Sequence, residues 1–392
     1  MKITLKRTQE QLELVKAMAS KNRDVAYEAQ MALAEFIGPV LAEVINNAPT
    51  LSNLFTSVQF DGDDNPSIPL DLYHDVTDAD YLKVWSQSVA GGLPTSHVEG
   101  MQEIKIATYR LDSAVSFNKR YARRARLDVV SKALERMANE VLIKQERNAW
   151  AVILKALADA ETTVTHATTA GGSEAMKHVI HAAAAGDFGL ADLNNLMTHS
   201  KRLNESFSGM TPVAPYSNGI TDLYVSPEIK GMIRGFAYNA MYTGTPNQAL
   251  PDDIRSEIYR NAGMASIYGV NIVELVEFGK GRKYNTLFND LAFTGGTDNL
   301  EAIQTDADPA AGNQAWDADV HQIVVGVDNS RGAFIRPVSR GHDYGSGNGT
   351  FTALPDEQFN AYGSRVEKTG FYGFLEEGRI CIDARAIMGL VV

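Results

Sequence analysis

DVVSKALERMANEVLIKQERNAWAVILKALADA occupies Asp128 to Ala160 and contains neither glycine nor proline. A continuous helix over this stretch would be about 50 Å long. Apolar residues within and just before it form two stripes at three- or four-residue spacing. They are Leu127, Val130, Leu134, Met137 and Val141, followed by Trp150, Ile153, Leu154 and Leu157. The polar run KQERN separates the stripes. We therefore predict one long scaffolding helix, buried at both ends and more exposed in its middle.

The composition of the chain is that of a globular protein. Its 392 residues are 44% hydrophobic and 21% charged, with a net charge of −12. This length predicts two or three domains, and the acidity argues against a surface that wraps nucleic acid. The single cysteine, Cys381, lies in the apolar run RICIDA, which favours a buried apolar role. We find no signal peptide and no run that could span a bilayer, so we expect a soluble protein without membrane contact.

The N-terminal segment, Leu5 to Asn47, has helical periodicity, with a break expected at Gly38 and Pro39. Its apolar stripe is thin, so the segment needs a partner surface. Two arrangements stay open. The segment could be an arm that lies on a neighbouring subunit, or it could pack on its own domain.

Mixed strands and helices are predicted for the rest of the chain. We expect a β-rich excursion from Ser57 to Ala107 that continues into IKIATYRLDSAVSF, and helices near Glu174 to Ala185 and Leu190 to Ser206. LYVSPEIKGMIRGF predicts a strand, a Ser226 cap and a helix. The C-terminal segment predicts two strands, residues 366–375 and 379–382, joined by a Glu-Glu-Gly turn.

Catalytic motifs are missing from the sequence. The P-loop pattern, a strand-to-helix GxGxxG and GxSxG do not occur, and the glycines near Gly341 lack the lysine of a phosphate-binding loop. His178 and His181 could share a helix face, but no cysteine or acidic pair completes a metal site. We therefore expect no catalytic residues, no metal site and no cofactor.

A basic cluster precedes the long helix and is the strongest local charge feature. It comprises Lys119, Arg120, Arg123, Arg124 and Arg126. Three interpretations stay open: a solvated face, a subunit interface that meets an acidic surface, or a contact with nucleic acid. Arginine pairs well with carboxylates, which suits the second interpretation. No interleaved aromatic residues support base stacking, which weakens the third.

The order of these segments resembles the tailed-bacteriophage major capsid protein family, which has the Johnson fold (Hong Kong 97-type). Three segments carry the resemblance. ALERMANEVLIKQERNAWAVILKAL resembles the spine helix, LYVSPEIKGMIRGF the start of the apical domain, and GFYGFLEEGRICIDARAIMGL the closing strands. The resemblance implies an α+β capsid subunit with an N-terminal arm (1–55), an extended β loop (56–126), a peripheral domain with the spine helix (127–205 and 350–392) and an α/β axial domain (206–349).

The same resemblance implies a function. The chain would assemble with itself into hexamers and pentamers of an icosahedral virion shell, in the host cytoplasm, around double-stranded DNA held by non-specific contacts. Neighbouring capsid subunits, a separate scaffold protein and a decoration protein would be its partners, and the basic cluster would lie where subunits meet. An encapsulin-like cellular nanocompartment is the alternative function, and a metal-dependent hydrolase is a third.

Overall fold

The computed structural model describes residues 8–20, 22, 24–34, 54–61, 66–69, 103–124, 127–160, 165–167, 173–175, 178–182, 186–203, 219–236, 266–293, 319–340, 352–355 and 368–392. Helices of varied length occur throughout these ranges. They are α1 (Gln9–Ala17), α2 (24–34), α3 (Lys119–Arg123), α4 (Leu127–Asp159), α5 (Leu190–Leu203), α6 (Pro227–Gly235) and α7 (Lys283–Phe293).

Sixteen strands alternate with these helices in the described ranges. They are β1 (Thr56–Asp61), β2 (Ser67–Pro69), β3 (Glu103–Lys105), β4 (Thr108–Asn118), β5 (Thr165–Ala167), β6 (Ser173–Ala175), β7 (Val179–His181), β8 (Asp222–Val225), β9 (Ser266–Ile267), β10 (Val270–Glu274), β11 (Ile323–Val327), β12 (Phe334–Arg340), β13 (Thr352–Pro355), β14 (Lys368–Gly378), β15 (Ile380–Cys381) and β16 (Ile387–Val391). The prediction of an α+β chain is confirmed.

The predicted long helix is confirmed to within one residue at each end. Its two apolar stripes are buried, from Val130 to Val141 and from Trp150 to Leu157. The prediction that its middle is exposed is wrong at Gln145, which is 2% exposed. The Gln145 amide donates to a buried carboxylate on β14, that of Glu377, over 3.4 Å. A polar residue can therefore face a core when the core itself offers a polar partner.

The chain divides into two compact units. The first comprises residues 1–68, 105–149 and 335–380, and the second comprises residues 69–104, 150–334 and 381–392. Helix α4 contributes its residues up to Ala149 to the first unit and those from Trp150 onward to the second.

The first unit is built around a sheet in which β14 is central. Strand β14 pairs with β4 on one side and with β12 and β13 on the other, and β1 pairs with β12. Helix α4 packs into the same core as the sheet, through residues such as Leu134 and Met137 beside Phe371. Burial of these side chains stabilises the unit by about 1.5–3 kcal/mol per residue before entropic costs.

Both described N-terminal helices, α1 and α2, join this core. Val15, Met18 and Leu33 belong to the same buried cluster as the first half of α4. Gln30 is fully buried and donates from its side chain to Thr369 of β14. Of the two arrangements left open by the sequence, the described residues therefore adopt packing on their own unit. The first helix ends at Ala17, and a second helix begins at Asp24, so the segment has a break that the sequence did not predict. The predicted break at Gly38 and Pro39 lies outside the described residues.

The second unit contains a mixed sheet in the order β7-β16-β11-β8-β10-β9. All residues of β11 and β16 are buried, as expected for strands covered on both faces. Gly326 of β11 packs closely under Ile220, because an added Cβ would lie 2.8 Å from Cδ1 of Ile220 and that side chain would have to shift. Helices α5 and α6 pack against this sheet through Leu196, Ile229 and Ile233.

Trp150 anchors the end of α4 in the second unit. Its ring centroid lies 4.9 Å from Tyr224, 5.0 Å from Phe278 and 5.6 Å from Tyr284. The contacts with Tyr224 and Phe278 are edge-on, and such contacts add about 0.5–1.5 kcal/mol each beyond the area they bury. The strand–cap–helix prediction is also confirmed, because Ser226 follows β8 and accepts the Ile229 amide at 3.2 Å, and Pro227 begins α6.

The predicted helix near Glu174 to Ala185 is wrong. Strands β6 and β7 occupy parts of this segment, and β7 pairs with β16 in parallel. His178 is buried, and its Nδ1 lies 3.0 Å from the carbonyl oxygen of Ile387. Burial lowers the pKa of His178, so its neutral form is favoured. His178 and His181 therefore do not share a helix face: His181 ends strand β7 and His178 directly precedes that strand.

Candidate subunit interface

Helix α3 carries most of the basic cluster. It begins after Asn118, whose side chain accepts the Arg120 amide at 2.8 Å, and it is anchored by Ala122, which is fully buried. Arg120, Arg123 and Arg124 are exposed, and Lys119 is half-buried. Arg126 lies outside the described residues. The local fold thus buries one small side chain and directs the cations outward.

No carboxylate among the described residues approaches these four cations closely enough for a salt bridge, the limit being 4.0 Å. Elsewhere in the chain, arginines are paired, as Arg331 is with Asp383 at 2.8 Å. Among the described residues, Lys119, Arg120, Arg123 and Arg124 therefore form a positive patch without a nearby counter-charge, on a chain of net charge −12. Such a patch can pair with an acidic surface supplied from outside.

A buried ionic group lies in the same unit as the basic helix. Glu377 is fully buried in β14. One of its carboxylate oxygens accepts from Tyr109 at 2.9 Å and from Arg379 at 3.1 Å, and the other accepts from Arg336 at 2.6 Å. Burial, reinforced by the Glu377 charge, raises the pKa of Tyr109 to about 12, which keeps the phenol a donor.

The predicted Glu-Glu-Gly turn is therefore wrong. Strand β14 runs without interruption from Lys368 to Gly378, and Glu376 and Glu377 are its successive residues on opposite faces. Two successive acids followed by a glycine predicted a turn because carboxylates rarely enter a core, and here Glu377 does so while Glu376 is half-buried. Every second residue from Phe371 to Glu377 is buried, and the alternation of Phe371 and Leu375 with less buried residues was the signal for a longer strand.

The second unit has its own ionic group at the C-terminal strands. Asp383 accepts from Arg331 at 2.8 Å and from the Arg385 side chain at 3.0 Å. Burial alone would raise the pKa of Asp383, but Arg385 and Arg331 outweigh it and hold that pKa below its usual value. Cys381 is partly buried two residues earlier, and burial raises its pKa to about 12, so its thiol is unreactive at neutral pH.

In the part of the chain that the structure describes, no three His, Cys, Asp or Glu side chains gather closely enough to hold a metal ion. No helix in the described ranges is long and apolar enough to cross a membrane.

Comparison with solved structures gives mainly bacteriophage capsids. The chain is similar to the capsid of the cyanophage P-SCSP1u, with 11% identity, 87% of each chain covered and a TM-score of 0.47. It is also similar to a virus-like particle from Pyrococcus furiosus, with 11% identity, 91% of this chain and 98% of that chain covered, and a TM-score of 0.41. A third similar structure is the SrpI encapsulin complex from Synechococcus elongatus, with 11% identity, coverage of 87% and 85%, and a TM-score of 0.40.

Sequence-based comparison gives no such likeness. No protein-family model matches the chain, and no curated protein matches it.

Proposed function

We propose that this chain is the subunit of a closed protein shell, the major capsid protein of a tailed bacteriophage. In this proposal it assembles with copies of itself into hexamers and pentamers of an icosahedral virion shell that encloses double-stranded DNA. The order of its elements supports the proposal: N-terminal helices, strands, a long helix, a mixed sheet with helices, and returning C-terminal strands. This is the order on which the sequence resemblance rests.

The proposal extends to the parts of the subunit. Residues 1–55 form the arm, 56–126 the extended loop, 127–205 with 350–392 the peripheral domain, and 206–349 the axial domain. A separate scaffold protein guides assembly in the host cytoplasm, a decoration protein is a further partner, and packaged DNA touches the shell only through non-specific contacts. The role is structural, and no residue is assigned to catalysis.

The observation that carries the proposal is the positive patch on α3. Arg120, Arg123 and Arg124 are exposed on an acidic chain, and no described carboxylate lies within salt-bridge distance of them. An acidic molecule with a local positive patch is attracted to copies of itself, since the patch of one copy meets the negative surface of another. A single exposed ion pair contributes only about 0–1 kcal/mol. In a shell the same contact occurs between many pairs of subunits. Weak ion pairs at each contact are therefore enough to set the orientation of neighbouring subunits, while the rest of the interface supplies the affinity.

A charge-reversal experiment tests this role. The double variant R123E/R124E replaces attraction by repulsion, so we expect folded protein that forms no particles by electron microscopy and sedimentation. The matched control is K132E/R136E, which makes the same change of charge at two exposed cations of α4. We expect the control to assemble. Normal particles from R123E/R124E would remove the interface role of the patch.

Two further measurements separate the alternatives. Nuclease-protected DNA inside particles recovered from infected cells supports a virion shell, whereas a co-purified cargo enzyme would support a nanocompartment. Stoichiometric zinc or manganese in the purified protein would contradict a purely structural role.

A further inference from the structure

Strand β4 forms an edge of the first unit's sheet. It pairs with β14 over all of its residues, from Thr108 opposite Gly378 to Asn118 opposite Lys368. Among the described strands, no other strand pairs with it. An 11-residue edge presents a row of backbone donors and acceptors to any strand that approaches it.

This edge lacks several of the features that protect an edge strand. Its sequence, TYRLDSAVSFN, contains no proline and no lysine, and it pairs with β14 residue for residue without a bulge. Its only protection of this kind is a pair of opposite charges, Arg110 and Asp112. Opposite charges repel an uncharged strand less than a row of like charges does, and they can pair with a strand of matching charges.

The charges on β4 are self-complementary. Arg110 and Asp112 are its only charged residues, and their side chains point to the same face because they are two positions apart. They contact each other at 2.7 Å and are 54% and 61% exposed. The Arg110 guanidinium lies 4.3 Å from the centre of the Phe374 ring, which fixes its position.

Two β4 strands that pair antiparallel about a two-fold axis would form two Arg–Asp ion pairs between copies. With Leu111 at the axis, Arg110 of each copy lies opposite Asp112 of the other, and Thr108 lies opposite Ala114. Opposite residues in such a ladder have Cβ atoms about 4.5–5.5 Å apart, close enough for both ion pairs to form. A register shifted to pair the strands over their full length would place Arg110 opposite Ser116, where no charge answers it.

Two other edges of the sheet, β1 and β13, are poorer partners. Strand β13 has four residues and no charge, and β1 has six residues and a single charge, that of Asp61 at its end. Neither strand carries a cation that could pair with Asp112, whereas a second β4 supplies a partner for both Arg110 and Asp112. A two-fold contact also uses one surface in both copies, which is the commonest arrangement among homo-oligomers.

We propose that two copies of the chain join through antiparallel pairing of their β4 strands, centred on Leu111, so that the sheets of neighbouring subunits become continuous. This contact rests on the proposed shell function and names one of its interfaces, distinct from the basic patch on α3.

A complementation experiment tests the pairing. Variant D112R carries two arginines on the edge, and variant R110D carries two aspartates. Within either variant, opposite residues repel across the two-fold axis, so we expect each alone to lose assembled particles. An equimolar mixture restores Arg opposite Asp at both positions, so we expect mixed particles. An ion pair confined to one chain would not be restored by mixing.

Charge reversal at another exposed ion pair is the control. Lys155 and Asp159 of α4 contact each other at 2.6 Å and are 51% and 48% exposed, much like the edge pair. Variants K155D and D159K should each assemble alone. Circular dichroism and the melting temperature establish that every variant is folded before assembly is scored.

A cysteine experiment tests the register independently, should R110D fail to fold beside Glu376. In T108C/A114C the two new thiols lie opposite each other between copies, within the Cα separation of about 4.4–6.8 Å that a disulfide needs. Within one chain they are about 20 Å apart along the strand and cannot join. Oxidation of assembled particles should therefore give covalent dimers on a denaturing gel. The out-of-register control T108C/S116C should give none.

The outcomes are separable from those of the proposed function. Wild-type particles with no rescue in the mixture, or with equal cross-linking in T108C/A114C and its control, would overturn the β4 pairing and leave the shell intact. Wild-type protein that stays monomeric with its scaffold would overturn both.

Discussion

Glu377 shows how a single buried charge organises the first unit. Its carboxylate accepts from Tyr109 of β4, Gln145 of α4 and Arg336 of β12, and it also pairs with Arg379. Each partner comes from a different part of the unit, so the carboxylate ties the long helix to three strands. Burying it is costly unless every lone pair is used, and here two guanidinium groups and two neutral donors use them.

Removing this charge should destabilise the protein strongly. In E377Q two buried arginines lose their counter-charge, and breaking a buried pair typically costs about 3–5 kcal/mol. We expect a marked drop in the urea midpoint, measured by circular dichroism.

The neighbouring residue gives the control for that change. Glu376 is half-buried and accepts only from the Thr108 hydroxyl, at 3.1 Å, among the contacts found in the described part of the chain. E376Q should therefore cost about 1 kcal/mol or less. Equal effects of E377Q and E376Q would show that the buried network does not hold the unit together.

Asp383 should make the second unit sensitive to acid. Its pKa is lower in the folded chain than the value of about 3.9 expected when unfolded. A lowered pKa contributes stability that is present above the unfolded value and is lost as the pH falls through the folded one. D383N keeps the shape but cannot ionise. The difference in unfolding free energy between wild type and D383N should thus shrink as the pH falls from 6 to 2, and a constant difference would contradict the ionic role.

At the scale of elements, α4 is the part that the sequence predicted best. Its periodicity specifies a long helix without help from distant residues, and both apolar stripes are buried as predicted. The first half of α4 packs into the core of the first unit, and its second half packs into an aromatic cluster of the second unit. The helix therefore has two apolar stripes because each half is buried in a different unit.

Truncation along α4 should reflect this burial. Leu134 is 1% exposed and Ile143 is 41% exposed. L134A should lower the unfolding free energy by about 2–5 kcal/mol because it leaves a cavity, whereas I143A should cost about 1 kcal/mol or less because its side chain already meets water. Chemical unfolding of both variants measures the difference. Similar costs would mean that the first stripe is not the buried face.

The elements that sequence reasoning missed all depend on distant partners. Gln145 is buried only because Glu377 lies opposite, and Glu377 continues β14 only because Arg336 and Arg379 neutralise it. His178 lies beside a strand rather than on a helix because β16, from the far end of the chain, supplies the partner strand. Periodicity cannot reveal such pairings, because they depend on which elements meet in the fold. Gln145 and His178 contact residues more than two hundred positions away, and Arg336 lies 41 positions from Glu377.

The candidate interface was predictable in part. The run of basic residues from Lys119 to Arg124 is visible in the sequence, but their exposure follows from a short helix anchored by Ala122. The edge position of β4 could not be read from the sequence, because it depends on which strands pair with β14. Only the edge position of β4 indicates that Arg110 and Asp112 could pair with another copy of the strand.

At the scale of the whole molecule, the described residues fold in two compact units. The positive patch on α3 and the charged edge β4 lie in the same unit, and we propose that both contact other copies of the chain. The N-terminal helices, by contrast, belong to the subunit's own core. We therefore expect substitutions on the basic helix and the sheet edge to impair assembly, and substitutions in the buried faces of α1 and α2 to impair folding instead.

Negative-stain electron microscopy of the purified full chain, expressed together with any candidate scaffold protein encoded beside it, decides whether the chain forms a shell. We expect closed, hollow particles of uniform diameter, built from rings of six and five subunits. A preparation of folded monomers or small oligomers, at concentrations where capsid subunits assemble, would contradict it.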